Sequence, residues 1–478
     1  MTGALLTDLY EMTMAASYLR RGMHGPATFS LFVRRLPAQR GFLVAAGVED
    51  CLAALESFRF DDEDLAWMRE RLDVPDAVLT ALRGLRFTGD VWAVPEGRIV
   101  LANEPILEVT APIAQAQLVE SILLNHVTFQ TTIASKAARC RLAARGRELV
   151  DFSLRRTQGL AAAMQVARLS ALVGFASTSN VAAARRYGLR AAGTMAHAYI
   201  EAFDTEEEAF RAFAADFPAQ PVFLVDTYDT EAGVRTAARL IRELGLPASS
   251  GVRLDSGDLG ALAVRARAIL DAAGLPEARV MASGGLDEYK IARLVDSGAP
   301  IDVFAVGTRV GVSADAPSLD SAYKLVQYGD RPVLKLSPGK QTLPGRKQVF
   351  RRPGVDDLIA LRDEAPPPSA EPLLEPVMQG GRRSARPSTL EDARRRFEAD
   401  LAELPAAARR VTDPIAPTAD ISPALADLLA RTLARTRAAC LPPAPEPQPA
   451  EPQPAMSAAG AGGHRQVPPA PPAAGCER

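Results

Sequence analysis

The chain has 478 residues, of which 47% are hydrophobic and 23% charged, an ordinary composition for a globular protein of roughly two to four domains. Acidic and basic residues nearly cancel at 57 against 55, which argues against a nucleic-acid partner. No apolar run approaches the roughly 18 residues of a membrane helix, and the start of the chain lacks the pattern of a signal peptide. The four cysteines form no CxxC pattern, so we expect a cytoplasmic protein without a membrane partner.

Two residue types are scarce and therefore informative. Only six of the 55 basic residues are lysines, and all six lie between positions 136 and 347. This clustering marks the stretch as one that binds a ligand, although Lys136 and Lys290 fall in helical stretches and are expected to face solvent. Of the four histidines, only His197 follows a predicted strand.

The middle of the chain alternates short apolar runs with amphipathic helical stretches. Six runs are predicted to be strands: Glu148–Asp151, Arg190–Gly193, Pro221–Val225, Val252–Leu254, Arg279–Ala282 and Ile301–Val306. Helices are predicted at about 131–145, 229–244, 259–273 and 286–295. Strand starts roughly 20–30 residues apart are typical of βα units and predict either an irregular (β/α) barrel or a doubly wound parallel sheet.

Polar or small residues follow each of the six predicted strands. In a barrel these ends converge on one face, which is where barrel active sites lie. Asp and Gly are also common caps at such turns, and capping is the alternative explanation. Six consecutive ends that include Arg, His and paired Asp favour a functional site.

The last two strand ends have the composition of phosphate sites. Ser283, Gly284 and Gly285 precede one predicted helix, and Gly307 and Thr308 precede the next. Small residues let backbone N–H groups approach an anion, and a helix N-terminus favours negative charge. Loops at the corresponding positions of barrels commonly hold phosphate.

Two D-x-x-D pairs place acids at neighbouring strand ends. Asp226 pairs with Asp229, and Asp255 pairs with Asp258. Carboxylates in this arrangement suit ribose hydroxyls, or a hydrated Mg²⁺ held jointly with substrate phosphates. We expect one acid of each pair to cap the following helix and the other to face the site.

Three further features complete the predicted site. Arg155 and Arg156 follow Phe152, so an arginine fork for a carboxylate or phosphate lies beside an aromatic ring that could stack on a flat ligand. His197 is interpreted as a nucleophile or general base rather than a hydrogen-bonded loop histidine. The basic segment 335–347 is a candidate polyphosphate loop, with a solvated loop as the alternative. Together these groups suit transfer of a phosphorylated sugar to a flat anionic acceptor.

At these residues the sequence strongly resembles the nicotinate phosphoribosyltransferases, over about Leu6 to Leu429. The motifs that carry the resemblance are TDLYEMT (7–13), NHVTFQTTIASK (125–136), DFSLRRTQG (151–159), STSN (177–180), GTMAH (193–197), VDTYDT (225–230), RLDSGD (253–258), YKL (323–325) and GKQTLPGRKQVF (339–350). The family pattern DFGLRRAQG has Gly and Ala where this chain has Ser153 and Thr157. These small changes predict a modest backbone shift and do not imply loss of activity.

The resemblance implies an α/β fold in which an irregular (β/α) barrel packs on a second, open-faced α/β domain. It predicts an N-terminal α/β domain over 1–120 and the barrel over 121–335. A basic loop and C-terminal helical segment over 336–440 would complete the second domain. Residues 441–478 hold 11 of the 37 prolines and are expected to form a disordered tail. The family also implies a homodimer with shared active sites.

The implied reaction joins nicotinate to phosphoribosyl pyrophosphate, giving nicotinate mononucleotide and pyrophosphate. It uses Mg²⁺, is coupled to ATP hydrolysis, and is the first step of NAD salvage from nicotinate. By resemblance His197 is the histidine that ATP phosphorylates, and Arg253 and Asp255 are further catalytic residues. The positions that resemble substrate-binding residues are Tyr10 of the neighbouring subunit, Phe152, Arg155, Ser179, Asp226, Ser283, Gly284, Gly285, Gly307, Thr308, Lys340, Arg346 and Lys347, with Arg34 or Arg35 beside the basic loop.

Four alternatives remain open at this point. Related nicotinamide enzymes place an Asp where this chain has Ser179, which favours nicotinate. Quinolinate phosphoribosyltransferases are shorter chains that lack the motif around His197. A Schiff-base aldolase would need Lys290 on a strand rather than in a helical stretch. The last alternative is a non-catalytic barrel that binds a sugar phosphate.

Overall fold

The computed structural model describes residues 3–72, 74–219, 221–337, 341–384 and 386–440. Its α-helices are α1 Leu9–Arg20, α2 Val48–Glu56, α3 Asp62–Leu72, α4 Asp76–Arg83, α5 Ile113–Leu118, α6 Glu120–Ala144, α7 Leu160–Leu172, α8 Val181–Tyr187, α9 His197–Glu201, α10 Glu206–Asp216, α11 Thr230–Glu243, α12 Leu259–Ala272, α13 Glu288–Asp296, α14 Thr308–Gly311, α15 Leu390–Glu403 and α16 Pro423–Cys440. Short 3₁₀ helices cover Gly3–Leu5 and Leu154–Arg156. In the described ranges, none of these helices has both the length and the apolar composition to cross a bilayer.

The strands fall into four sheets. They are β1 Pro26–Val33, β2 Leu43–Val44, β3 Asp90–Ala93, β4 Ile99–Val100, β5 Pro105–Pro112, β6 Glu148–Asp151, β7 Ser177–Thr178, β8 Val222–Leu224, β9 Gly251–Leu254, β10 Arg279–Ala282, β11 Val303–Val306, β12 Ser321–Tyr328, β13 Arg331–Pro332, β14 Lys347–Arg352, β15 Asp356–Leu361, β16 Glu371–Pro372, β17 Glu375–Gln379, β18 Arg382–Arg383 and β19 Asp420–Ile421. β2 and β4 form a two-stranded pair, and the other three sheets organise the molecule.

A six-stranded parallel sheet carries the predicted site. Its order is β7-β6-β11-β10-β9-β8, which is the cyclic order of a barrel interrupted between β7 and β8. This curled half-barrel agrees with the predicted irregular barrel and not with a doubly wound sheet. β9 and β11 are buried throughout because helices cover the outer face of the sheet.

One predicted strand of this sheet is wrong. Residues 190–193 make only a single parallel bridge, between Ala191 and Thr178, and the strand beside β6 is β7 instead. Ala191 lies at the interruption of the sheet, where too few neighbouring backbone groups are available to build a ladder. The helix predicted at 131–145 is also longer than expected and begins at Glu120.

A seven-stranded antiparallel sheet combines segments from both sides of the half-barrel in the sequence. Its order is β13-β12-β1-β5-β3-β17-β18, so strands that precede residue 113 pair with strands that follow residue 320. One large cluster of buried apolar side chains packs around this sheet with α1 to α5, and a second packs around the half-barrel. The chain therefore leaves this sheet, builds the half-barrel and returns.

The segment 336–440 contains more strand than its composition indicated. Besides α15 and α16 it forms a four-stranded sheet of order β16-β14-β15-β19. Lys347 is the first residue of β14, and its side chain is 4% exposed and lies 3.1 Å from Glu108 Oε1. The Lys347 ammonium is therefore buried in an ion pair within this chain, and its assignment to a polyphosphate site stays a prediction.

Candidate active site

The carboxyl ends of the half-barrel strands meet at one edge of the parallel sheet. Val306 pairs with Asp151, and Ala282 pairs with Leu254, so the residues that follow β6, β9, β10 and β11 emerge side by side. The register of β8 beside β9 brings Asp226 to the same edge. We call this region the strand edge. It contains most of the residues that the sequence singled out.

A hydrogen-bonded chain crosses three strand ends at the centre of the strand edge. Asp226 Oδ2 accepts hydrogen bonds from the Asp255 amide at 3.0 Å and from Ser256 Oγ at 2.6 Å. Ser283 Oγ in turn donates to Asp255 Oδ1. These contacts hold two carboxylates and a hydroxyl in one place, and Asp226 Oδ1 is left buried without a partner in the described structure.

The second acid of each D-x-x-D pair has a different role. Asp229 accepts from the Ala232 amide at 2.8 Å and caps α11, while Asp258 accepts from the Gly260 and Ala261 amides and caps α12. The predicted capping by one acid of each pair is therefore present in the structure, and the site role of the other acid stays a prediction.

The turn after β10 has a backbone that requires glycine. Gly284 has φ +85°, and a Cβ there would lie 1.8 Å from the Asp255 carbonyl oxygen. Gly285 also has positive φ but opens onto free space. Lys290 Nζ donates to the Gly284 carbonyl at 3.1 Å, so this lysine is half-buried against the turn rather than facing solvent as predicted.

The turn after β11 lies beside the Phe152 loop. A Cβ on Gly307 would lie 2.9 Å from the Phe152 carbonyl oxygen, and Thr308 is exposed as the first residue of α14.

The Phe152 loop is held by a residue that the sequence did not single out. The buried Asp151 carboxylate accepts from the Ser153 amide at 2.9 Å and from Thr178 Oγ1 at 2.7 Å. Burial raises the pKa of Asp151, and these hydrogen bonds oppose that shift.

Arg253 is the buried cation of the strand edge. Its guanidinium carbon lies 5.9 Å from the centre of the Phe152 ring and its Nη2 lies 3.8 Å from Asp255 Oδ1. Nη1 donates to Thr194 Oγ1 and, at 3.1 Å, to the Met195 carbonyl. Burial lowers the pKa of Arg253, but a guanidinium stays charged at any physiological pH.

A cavity of about 170 Å³ lies in the interior of the half-barrel. Its lining includes Phe152, Thr194, Val150 and Met281. Ser179 is half-buried after β7, where its amide donates to the Asp151 carbonyl at 2.8 Å. Arg155 is exposed at the rim, and its charge contributes to lowering the pKa of Arg253.

His197 opens α9 on the side of the strand edge nearest β8. Its Nδ1 lies 3.0 Å from Thr227 Oγ1, next in sequence to Asp226. When Nδ1 carries the proton and donates it to this hydroxyl, Nε2 keeps its lone pair for reaction with an electrophile.

Glu206 is a site residue that the sequence analysis missed. It is the first residue of α10, within a run of three glutamates that resembles an ordinary helix start. Burial, followed by the charges of Asp229 and Asp226, raises the pKa of Glu206 to about 7. Its Oε1 is buried without a partner in the described structure. Within the described ranges no three His, Cys, Asp or Glu side chains are grouped as a complete metal site.

Several predicted site residues lie elsewhere in the chain. Tyr10 is 48% exposed on α1, where burial and the neighbouring Glu120 raise the pKa of its hydroxyl. Arg346 is exposed and lies 3.2 Å from Asp363, and Lys340 lies outside the described residues. Arg34 and Arg35 both pair with Asp320, at 2.9 and 3.2 Å. Within the described ranges, no hydrogen bond or ion pair links Tyr10, Arg346, Arg34 or Arg35 to the strand edge of the same chain.

Comparison with known proteins gives a consistent result along the chain. Residues 5–128 match the nicotinate phosphoribosyltransferase N-terminal domain, 147–317 match the nicotinate phosphoribosyltransferase family, and 361–429 match its C-terminal domain. A nicotinate phosphoribosyltransferase of Mycobacterium tuberculosis is 48% identical over 417 residues, covering 86% of this chain and 89% of the relative. The nicotinate phosphoribosyltransferase of Bacillus subtilis is 43% identical, covering 76% of each chain.

Solved structures show the same fold. The crystal structure of human nicotinic acid phosphoribosyltransferase aligns with a TM-score of 0.79 at 29% identity, covering 89% of this chain and 99% of that one. The nicotinate-nucleotide pyrophosphorylase of Pyrococcus furiosus aligns with a TM-score of 0.71, covering 84% of this chain and 96% of that one. At 24% identity the second comparison shows a shared fold alone.

The Gly284 turn gives a direct test of the site geometry. We expect Gly284→Ala to weaken ribose 5-phosphate binding by at least about tenfold, because the new Cβ displaces the Asp255 backbone. Gly285→Ala is the matched control, since Gly285 also has a positive φ (+62°) but a Cβ there meets no atom, so the substitution should cost much less. Calorimetric titration of both variants measures the difference, and equal affinities would contradict the assigned turn.

Proposed function

The chain belongs to the nicotinate phosphoribosyltransferase family, and we propose that it joins nicotinate to phosphoribosyl pyrophosphate. The products are nicotinate mononucleotide and pyrophosphate, in the first step of NAD salvage from nicotinate. One observation carries the proposal. A single strand edge brings together the buried Arg253 over the Phe152 ring, the carboxylate of Asp255 and two glycine turns. Each group matches one part of the two substrates.

The nicotinate ring is assigned to the space between Phe152 and Arg253. A flat anionic ring there stacks on the aromatic side chain and faces a guanidinium that water does not screen. Arg155 at the rim adds positive charge for the ring carboxylate. Ser179 offers a neutral hydroxyl, which tolerates a carboxylate where an acidic side chain would repel it.

The sugar phosphate is assigned to the turns that follow β9, β10 and β11. The Asp255 carboxylate, held by Ser283, is placed to accept hydrogen bonds from ribose hydroxyls. The backbone amides around Gly284 and Gly307 would face the 5′-phosphate, because neither turn leaves room for a side chain on the inner side.

The reaction exchanges one bond at the ribose anomeric carbon. The bond to pyrophosphate breaks while the pyridine nitrogen forms a bond from the opposite face, and positive charge develops on the ribose. The Asp255 carboxylate stabilises that charge, and electrostatic stabilisation of this kind is usually the largest catalytic contribution. The pyridine nitrogen attacks with its own lone pair, so no side chain has to remove a proton.

Mg²⁺ would neutralise the departing pyrophosphate. Asp226 Oδ1 and Glu206 Oε1 are buried carboxylate oxygens without a protein partner in the described structure, and oxygen donors of this kind are the ligands that Mg²⁺ prefers. They supply only part of an octahedral shell. Substrate phosphates and water would complete it, which is the usual pattern for this ion.

ATP coupling is assigned to His197. With Nδ1 held by Thr227, Nε2 would form a bond to the γ-phosphorus of ATP while the bond to the β-phosphate oxygen breaks and ADP leaves. This step would make the enzyme an ATP-dependent ligase and a phosphoprotein. The phosphoryl group would then lie near Asp226 and the pyrophosphate site. Hydrolysis of the phosphohistidine would favour product formation.

We further propose that the active enzyme is a cytoplasmic homodimer. The exposed Tyr10 would cover the outer face of the pyridine ring of the neighbouring subunit. Arg346, Lys340 and one of Arg34 or Arg35 would approach the polyphosphate in the same way. No membrane or nucleic-acid partner is part of the proposal.

The alternative functions fit the geometry less well. A Schiff-base aldolase needs a free lysine inside the barrel, whereas Lys290 lies on α13 and donates to the Gly284 carbonyl. A non-catalytic sugar-phosphate scaffold would have no use for a buried arginine stacked beside Phe152. A quinolinate enzyme would not need His197 at the strand edge.

Ser179 provides a test of substrate choice. We expect the purified chain to convert nicotinate in strong preference to nicotinamide, and Ser179→Asp to lower kcat/KM for nicotinate by at least about tenfold through charge repulsion. Ser179→Asn, which is similar in size but neutral, is the matched control. A preference for nicotinamide in the unmodified enzyme, or equal effects of the two substitutions, would contradict the assignment.

His197 provides a test of ATP coupling. We expect His197→Ala to keep slow synthesis of nicotinate mononucleotide and to lose its stimulation by ATP, because the phosphoryl acceptor is gone. His24→Ala removes an exposed imidazole that lies outside the strand edge and should keep the full stimulation. The assay compares initial rates with and without ATP, and equal stimulation in all three proteins would exclude His197 as the acceptor.

A further inference from the structure

Lys136 does not face solvent as predicted but lies at the centre of a buried ionic network. Its side chain is 1% exposed, and its ammonium contacts Glu288 and, at 3.0 Å, Asp315. Arg139, one turn later on α6, reaches Glu288 Oε1 through Nε at 2.9 Å. Arg40 holds Asp315 through Nε at 3.0 Å. We call these five residues the cradle network.

Each acid of the cradle network lies within a few residues C-terminal to one of the two glycine turns. Glu288 is the first residue of α13, three positions after Gly285. Asp315 follows α14, which begins directly after Gly307. Since Lys136 contacts both acids with one ammonium group, it fixes the position of each turn relative to the other.

Further contacts make the network rigid. Arg40 also donates to Ser313 Oγ at 2.6 Å and to the Thr132 carbonyl at 2.9 Å. Ser313 has φ +45°, a strained conformation for a side-chain-bearing residue that persists only where surrounding contacts hold it. Arg40 therefore connects the strained turn at Ser313 to Thr132 on α6.

The network also carries a surplus of positive charge. Three cations face two carboxylates, and all five side chains are at most 4% exposed. Burial alone would raise the pKa of Asp315, but Arg40 and Lys136 hold it well below its usual range, so this acid stays charged. A buried unit of excess positive charge is weakly screened, and it favours an anion bound at the neighbouring turns.

We propose that Lys136 is a positioning residue for phosphoribosyl pyrophosphate, which it never touches. It sets the spacing between the two phosphate-binding turns and contributes to the positive potential behind them. The inference rests on the proposed function, because it assigns the 5′-phosphate to these turns. It predicts that loss of the lysine weakens binding of the sugar phosphate specifically.

The test compares Lys136→Met with Arg351→Met. Arg351 is likewise buried, 6% exposed and paired with Asp357 and Asp400, but it lies on β14 away from the strand edge. We expect both variants to lose thermal stability, since each removes a buried cation that contacts two buried carboxylates. Only Lys136→Met should raise KM for phosphoribosyl pyrophosphate, by about tenfold, with KM for nicotinate and kcat little changed.

Two further measurements keep the test decisive. Lys136→Arg should recover most of the affinity because it restores the charge. If Lys136→Met fails to fold, Lys136→Gln removes the same charge, keeps a hydrogen-bonding side chain and should raise the same KM. An unchanged KM in the variant that folds, or a rise equal to that of Arg351→Met, overturns the inference.

Direct calorimetric measurement of phosphoribosyl pyrophosphate binding distinguishes failure of the proposed function from failure of the positioning role of Lys136. An unmodified enzyme that binds it but forms no nicotinate mononucleotide would refute the proposed function while the dissociation constants still test Lys136. An unmodified enzyme that forms the product, together with a Lys136→Met variant of unchanged affinity, would refute the positioning role alone.

Discussion

The site depends on one hydrogen-bonded chain that joins Asp226, Asp255 and Ser283 across three neighbouring strand ends. The hydrogen bond from the Asp255 amide to Asp226 holds the backbone of Asp255 in place. The Asp255 carbonyl oxygen then lies where a Cβ of residue 284 would be, so only glycine fits there. The same few atoms therefore fix both the Asp255 carboxylate and the Gly284 turn. Arg253 lies in β9, two residues before Asp255, so the same strand places its guanidinium 5.9 Å from the centre of the Phe152 ring.

The rest of the molecule supports this edge from behind. The parallel register delivers the strand ends side by side, and the cradle network ties the helices after the two glycine turns to α6 and to Arg40. The antiparallel sheet uses strands from both sides of the half-barrel, so the segment that carries Arg40 is part of the same core. Buried ion pairs bring little net stability, but they impose a specific arrangement, which is what a two-part phosphate site needs.

The sequence was sufficient for local features and insufficient for distant pairings. Five of the six predicted strands follow from a βα period that is local, and the D-x-x-D pairs divide into caps and site acids as helix starts require. Lys136 and Lys347 could not be placed, because their partners Glu288 and Glu108 lie 152 and 239 residues away along the chain. Glu206 could not be identified from the sequence, because its burial arises only in the folded chain. The run of three glutamates in which it lies is typical of an ordinary helix N-terminus.

The proposed phosphoribosyl transfer to nicotinate depends on the carboxylate of Asp255 at this strand edge. Quantitation of the nicotinate mononucleotide and pyrophosphate released by the unmodified enzyme and by Asp255→Asn tests this dependence. We expect equal amounts of the two products from the unmodified enzyme and a rate at least about a hundredfold lower from a folded Asp255→Asn variant. Absence of product from the unmodified enzyme, or an undiminished rate in the variant, would contradict it.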